Sequence, residues 1–508
     1  MKQKSTLGFS LIKLPVLAAI FFGLLASLAV FAAAERSNEI RNASLPSDRL
    51  HSSAVGERTF MRVTADGAMP DYNVESKVAS VATQSSESHV IRPSGNTLWM
   101  VDDQNAIADG VAIDAQNVWT AWTLTGARLS IYPINGNGTE AWHFSSFNAG
   151  NSGVAAAKGT DRLGFMESNA AGNDFRQHGF TSSSNGTPDW SFPYPVSDPN
   201  LPANSRKVAT SRDGSTIAAV VSDSVTQNST LYVFEATTGA VRLSLPDPLR
   251  MDGVELTDDG SIALVTQDNR AELVNTSTGN ILFSVAGSGA GNIFYRVSGD
   301  GQVFVVGGFT FDVYAFNGTT YTRVIHFSQA NFWFGGACAI SRDGSTAGTF
   351  GSNYINNWLN GVVYLFDVAS GTMLGSYPVS GSGMYQGTPV GAGSNDDGSV
   401  MAFASWGTEF HDWPEVMVFN RNVQLIGQID FPGSAFSVDV SSDGQYVVGG
   451  SKAVHANQFG SGGRVELIQL QPTPTPTPTA TATPSPRPTA TPRSTATPRP
   501  RPTPAVRP

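Results

Sequence analysis

A short polar turn ending in Asp-Gly, set between two apolar runs, recurs along this chain and constrains its fold more than any other feature. The clearest copies are SRDGSTIAAVVS (211–222), TDDGSIALVT (257–266), SGDGQVFVVGG (298–308), SRDGSTAGTF (341–350), NDDGSVMAFAS (395–405) and SSDGQYVVGG (441–450). Their glycines, from Gly214 to Gly444, are spaced by 46, 41, 43, 54 and 46 residues. Asp-Gly tolerates the positive φ of a tight hairpin, and the flanking runs alternate at period two with β-branched and aromatic residues. A second turn recurs later in the unit, as EATTGAVRLSL (235–245), NTSTGNILFSV (275–285) and DVASGTMLGSY (367–377). Each unit therefore holds four short strands joined by tight turns. None of the Asp-Gly turns has the alternating ligands and terminal Glu of a calcium-binding EF-hand loop, so they read as structural hairpins.

A period of 40–50 residues carrying four strands describes one blade of a β-propeller. The copies resemble WD-repeat propellers and the repeats of pyrroloquinoline-quinone-like propellers. The resemblance spans about 370 residues and implies an all-β fold without implying an activity. Two degenerate copies precede the clear ones, at 110–144 and 153–168. With them the units begin near 110, 153, 206, 252, 293, 336, 390 and 435, which favours eight four-stranded antiparallel blades over seven. The last unit stops after three strands, at RVELIQL (464–470). An unpaired sheet edge would remain there unless an N-terminal strand supplied the fourth, and TLWMVD (97–102) fits that role. The propeller is thus expected over 86–471.

The ends have other compositions. Residues 14–34, LPVLAAIFFGLLASLAVFAAA, form an apolar run preceded by Lys2, Lys4 and Lys13. This is the pattern of a secretory signal cleaved after Ala34, and the run is also long enough to anchor the chain in a membrane. Residues 8–14, GFSLIKL, resemble the leader of type IV prepilins, in which cleavage would follow Gly8; the family's usual glutamate is Lys13 here. Each reading exports the rest of the chain, to the cell surface or beyond. Residues 35–85 read as a polar linker. Residues 472–508 hold 13 of the 29 prolines, alternating with Thr, Ala, Ser and Arg, and are expected to form a disordered stalk of polyproline character.

Setting aside the three leader lysines and the five arginines of the tail from a total of 31 leaves 23 basic residues against 41 acidic ones, a net charge of −18 between the ends. Such a body repels phosphate backbones, so nucleic acid is not an expected partner. Cys338 is the single cysteine, which excludes internal disulfides and Cys-rich metal sites and leaves a small buried hydrophobe. The adjacent cysteine pair of many quinone-dependent propeller dehydrogenases cannot form, and no cofactor ligands are recognised. The seven histidines are scattered without a metal-binding spacing; Glu409, His411 and Asp412 are the only compact titratable group and read as a solvated loop. No cofactor and no metal is expected.

The propeller resemblance implies that ligands meet the face built from loops between second and third strands and between blades. Those loops are long in the later units: 351–360, 405–414 and 451–463, with 329–336 and 380–389 between blades. They gather Trp333, Tyr354, Trp358, Tyr385, Trp406, His411 and Trp413 as ligand-binding candidates, with Phe410 and Phe459 beside them. Aromatic rings next to amides suit sugar stacking or a peptide anchor, whereas the same rings could simply pack their own loops. The sequence favours an exported, monomeric, non-catalytic scaffold for a protein or glycan. The alternative is a secreted hydrolase, lyase or cofactor-dependent oxidoreductase with its site at the channel mouth.

Overall fold

The computed structural model describes residues 50–53, 59–62, 95–123, 127–146, 152–168, 175–195, 208–222, 228–247, 251–267, 270–286, 294–470 and 499. The expected signal or anchor of 1–34, the tail of 472–508 apart from position 499, and most of the 35–85 linker lie outside the described residues. Within that linker, Leu50–Ser53 and Thr59–Arg62 pair as an antiparallel hairpin. The chain divides into two units, Met1–Gln471 and Pro472–Pro508. No helix occurs among the described residues.

Eight antiparallel sheets follow one another along the chain, and we call them blades I to VIII. Their first strands are Ile107–Ile113, Ser152–Ala156, Val208–Thr210, Met251–Leu256, Phe294–Val297, Cys338–Ile340, Pro389–Ser394 and Ala435–Val440. Each first strand packs against the next, and that of blade VIII against that of blade I, so the ring closes. Blades I to V and VII run outward in chain order through four strands, as does blade VI from Cys338–Ile340 onward. Burial falls along that path: in blade III the second strand, Thr216–Ser222, is buried throughout, while the fourth, Val241–Asp247, alternates between exposed and half-buried. A strand covered on both faces reads as a continuous apolar run, and an outer strand alternates.

The Asp-Gly turns are closed by a repeated hydrogen-bond cycle. In blade III, Ser211 Oγ donates to Asp213 Oδ1 at 2.6 Å, Asp213 Oδ1 accepts from Ser215 N at 2.9 Å, and Ser211 Oγ accepts from Thr216 N at 2.9 Å. The same cycle recurs around Asp259, Asp300, Asp343, Asp397 and Asp443. Gly214 takes a φ of 67°, which a side-chain-bearing residue adopts only at a cost. Blade I lacks the motif; Asp114, directly after the first strand, closes its shorter turn by accepting from the amides of Gln116 and Asn117 and from Trp119 Nε1, each at 2.7 Å.

These turns also join the blades. Backbone amides of Gly159, Asp213, Asp258, Gly299, Asp343 and Asp396 donate to carbonyls of Arg212, Asp258, Gly299, Arg342, Asp396 and Ser442, forming a belt from blade II to blade VIII. The belt explains why the turn, and not only the strand pattern, repeats so regularly.

Blade VIII is completed from the other end of the described chain. Gly95–Asp103 lies antiparallel to Gly463–Leu470, with Val101 opposite Val465 and Asp102 opposite Arg464. Trp99 is buried between this strand and blade I, and its Nε1 donates to the Ile134 carbonyl at 2.9 Å. Trp99, Val465 and Leu467 share one apolar cluster with Val111, Ile113 and Trp122 of blade I. One blade departs from four strands. In blade VI, Thr346–Asn353 outreaches its first-strand partner, and Phe332–Trp333 pairs with the overhang as a fifth. Cys338 is buried on the inner strand, as its composition implied.

Candidate functional site

Antiparallel strands running outward place the Asp-Gly turns on one face of the ring and the second-to-third-strand and inter-blade loops on the other. On that loop face, the second-to-third-strand connections of blades VII and VIII, at 406–415 and 453–462, are longer than those of the other blades, and that of blade VI spans 354–359.

Four of the seven aromatic and histidine candidates are buried, three in these loops and Trp333 in the fifth strand of blade VI. Trp333, Trp358, Trp406 and Trp413 expose no more than 3% of their surface. Trp333 and Trp358 meet edge to face, with ring centroids 5.2 Å apart. Trp406 packs between blades VII and VIII in a cluster with Phe431 and Ala435. Trp413 Nε1 donates to Ser405 Oγ at 3.1 Å, and a Cβ on Gly381 or Gly387 would come within 2.6 Å of its ring. These indoles pack the loops and leave little ring surface open to solvent. The reason is composition: long loops over apolar strand ends need their own core.

The other three candidates are partly accessible. Tyr354 is half-buried against the blade V–VI core. Tyr385 stacks on His455 with centroids 4.9 Å apart, and its hydroxyl accepts from Gln458 Nε2 at 3.2 Å. His411 takes a positive φ of 53° and sets Nδ1 2.9 Å from Glu415 Oε1. Glu415 is fully buried, and loss of hydration pushes its carboxyl up to about 7; the hydrogen bond that His411 donates to Glu415 raises His411 in turn. Glu409 and Asp412 act as loop ties: Glu409 Oε2 accepts from Met384 N at 2.6 Å, and Asp412 Oδ2 from Ser382 N at 2.7 Å.

The side chains that do face solvent here are different ones. Ile355, Met384, Phe410 and Phe459 are 65%, 77%, 65% and 90% exposed. They sit on loops bound to one another, since Asn357 Nδ2 also donates to the Met384 carbonyl at 2.8 Å and Gly383 lies against Phe410. Sequence reading singled out tryptophans as the recognition type and passed over Ile355 and Met384; nothing in the string separates a loop's own core from its rim.

The centre of the ring holds a second feature that the sequence did not disclose. A cavity of about 210 Å³ is lined by all eight first strands. Its floor, at the Asp-Gly face, is crossed by ion pairs. Arg212 of blade III reaches Asp396 of blade VII at 2.5 Å, and Lys158 of blade II reaches Asp439 of blade VIII at 2.7 Å. Arg342 of blade VI pairs with Asp258 of blade IV. Arg296 of blade V donates to the Ala392 carbonyl of blade VII at 3.1 Å. Burial raises the Glu255 carboxyl here and lowers Arg342, each partly offset by opposite charges nearby. The signal existed at the position before Asp-Gly, where Arg212, Asp258, Arg342 and Asp396 alternate in sign.

No protein-family model matches the sequence, and no curated protein is significantly similar to it. Among solved structures, the chain is similar to BamB from Moraxella catarrhalis, with a TM-score of 0.49 and 14% identity over 74% of this chain and 100% of that one. It is also similar to the C-terminal WD40 domain of Sif2, with a TM-score of 0.50 and 12% identity over 74% of this chain and 99% of that one. At this identity the likeness to the WD40 domain is one of fold: the repeats build a β-propeller.

Proposed function

We propose that this propeller is an exported, monomeric scaffold that binds a protein partner through the loop face of blades VI to VIII, without catalysis. One observation carries the reading: four large apolar side chains, Ile355, Met384, Phe410 and Phe459, stand exposed on that face. Contiguous exposed apolar surface on a soluble domain marks an interaction site. The loops that bear it are fixed beforehand by buried tryptophans and by the ties of Glu409, Asp412 and Asn357. Less ordering entropy is then lost on binding.

The exposed set also favours protein over glycan. Sugar stacking uses flat aromatic faces, and the four loop indoles are buried while the Tyr385 ring already lies on His455. Methionine, isoleucine and phenylalanine instead suit the apolar core of a protein interface. Export is supported by the basic and apolar pattern of residues 1–34, and the proline-rich tail suits a spacer at the cell surface.

The test compares the full chain with a Met384→Lys, Phe410→Lys, Phe459→Lys variant on panels of surface proteins and glycans. The reading expects a protein ligand whose affinity falls at least about tenfold in the variant while its thermal transition is retained. Ligands bound equally by both proteins, or glycans alone, would overturn it.

A further inference from the structure

Blade VII carries a second constellation on the loop face, made by three elements that the sequence separates. His411 lies in the loop before the third strand, Glu415 immediately before that strand, Val416–Asn420, and Asp430 immediately after the fourth strand, Leu425–Ile429. Antiparallel pairing of those two strands, Val416 opposite Ile429, brings Glu415 and Asp430 to the same end of the blade. One imidazole nitrogen and two carboxylate oxygens then fall within 4.8 Å of one another.

We propose that His411, Glu415 and Asp430 form a binding site for one first-row divalent cation of the zinc or manganese class. The donor set fits: imidazole nitrogen with carboxylate oxygens suits these ions, whereas calcium takes oxygen ligands and leaves imidazole aside. The surroundings fit as well. Glu415 is fully buried, and its Oε2 is oriented by the Phe431 amide at 2.7 Å, which turns Oε1 toward His411. That is the second-shell arrangement that positions a metal ligand. Space beside Oε1 is kept by Gly407, whose φ is 72° and on which a Cβ would lie 2.4 Å from that oxygen.

Electrostatics point the same way. Two carboxylates share this end of the blade, and the one on Glu415 has left water, where an anion is costly unless paired. A divalent cation held by the three side chains would neutralise both carboxylates, with water filling the remaining positions. The inference does not depend on the docking reading, because its three ligands exclude every residue of the exposed apolar set.

The experiment uses tag-free full-length protein and calorimetric titration with zinc chloride, manganese chloride and, as the oxygen-only control, calcium chloride. One zinc or manganese ion per chain is expected with saturable binding and no calcium signal. Asp430→Asn should weaken binding about 10-fold or more, and Glu415→Gln should abolish it. Cobalt substitution should give visible absorption bands that Asp430→Asn shifts or removes. Asp430 is exposed, so its variant decides the matter even if Glu415→Gln fails to fold. Absence of saturable zinc or manganese binding at millimolar metal, or equal binding by Asp430→Asn, would overturn the site.

Discussion

Arg212 of blade III and Asp396 of blade VII meet across the central channel at 2.5 Å, although 184 residues separate them. Blades III and VII are four apart in a ring of eight, so the pair spans a diameter. It ties opposite walls together where the backbone belt ties only neighbours.

Removing this staple should loosen the whole ring. Arg212→Ala and Asp396→Ala should each destabilise the domain, and the double variant should show a coupling of about 1 kcal/mol in a denaturant cycle. The pair is partly exposed, so the coupling should shrink at high salt. Strict additivity of the two single variants would show that the contact contributes nothing.

The turn aspartates predict the acid limit of stability. At Asp213 and Asp259 partial burial raises the carboxyl, but hydrogen bonds outweigh it and the net shift is downward: from Ser211 and Ser215 at Asp213, and from Ser261 and Thr257 at Asp259. At Asp397 the bond from Ser399 leads, against a smaller upward push from burial. Groups lowered on folding contribute stability above their unfolded value, about pH 4, and lose it as pH falls through the folded value. Wild type should therefore weaken steeply below about pH 4. An Asp213→Asn, Asp259→Asn, Asp397→Asn variant should be less stable at neutrality and show a shallower acid slope by circular dichroism. Identical slopes would mean that these turns are not what acid breaks.

Trp406 and Trp413 should behave as core residues. Either one changed to Ala leaves a cavity where an indole was buried, at a cost of about 3–5 kcal/mol. Phe410→Ala, on the exposed rim, should change the unfolding free energy measured in urea by no more than about 0.5 kcal/mol. A stable Trp413→Ala protein would return that ring to the list of ligand contacts.

Much of the architecture was legible because it is periodic. Asp-Gly turns, strand alternation and the three-strand ending at 464–470 together imply the ring, its blade number and its closing strand, and the strands begin where those marks stand. The degenerate blade I turn was harder, since Asp114 substitutes through its side chain and not through the motif. The site was legible only as a sector. Exposure is a property of how loops pack on one another, so Trp358 and Met384, both in polar long loops, look alike in sequence and end on opposite sides of the surface. The ion pairs of the channel floor and the grouping of His411, Glu415 and Asp430 arise from ring closure and strand pairing, and no local window contains them.

The closing strand is the contact on which the circular architecture depends. Asp102 and Arg464 face each other there, with Arg464 Nε 2.7 Å from Asp102 Oδ1, although they are 362 positions apart in the chain. Asp102→Cys with Arg464→Cys, oxidised in the full chain and mapped by mass spectrometry of its peptides, tests the latch directly. The account predicts one intramolecular disulfide in nearly every molecule and a higher unfolding temperature than the reduced form, because so long a loop is closed. Cysteines that stay reduced, or that link only between molecules, would contradict it.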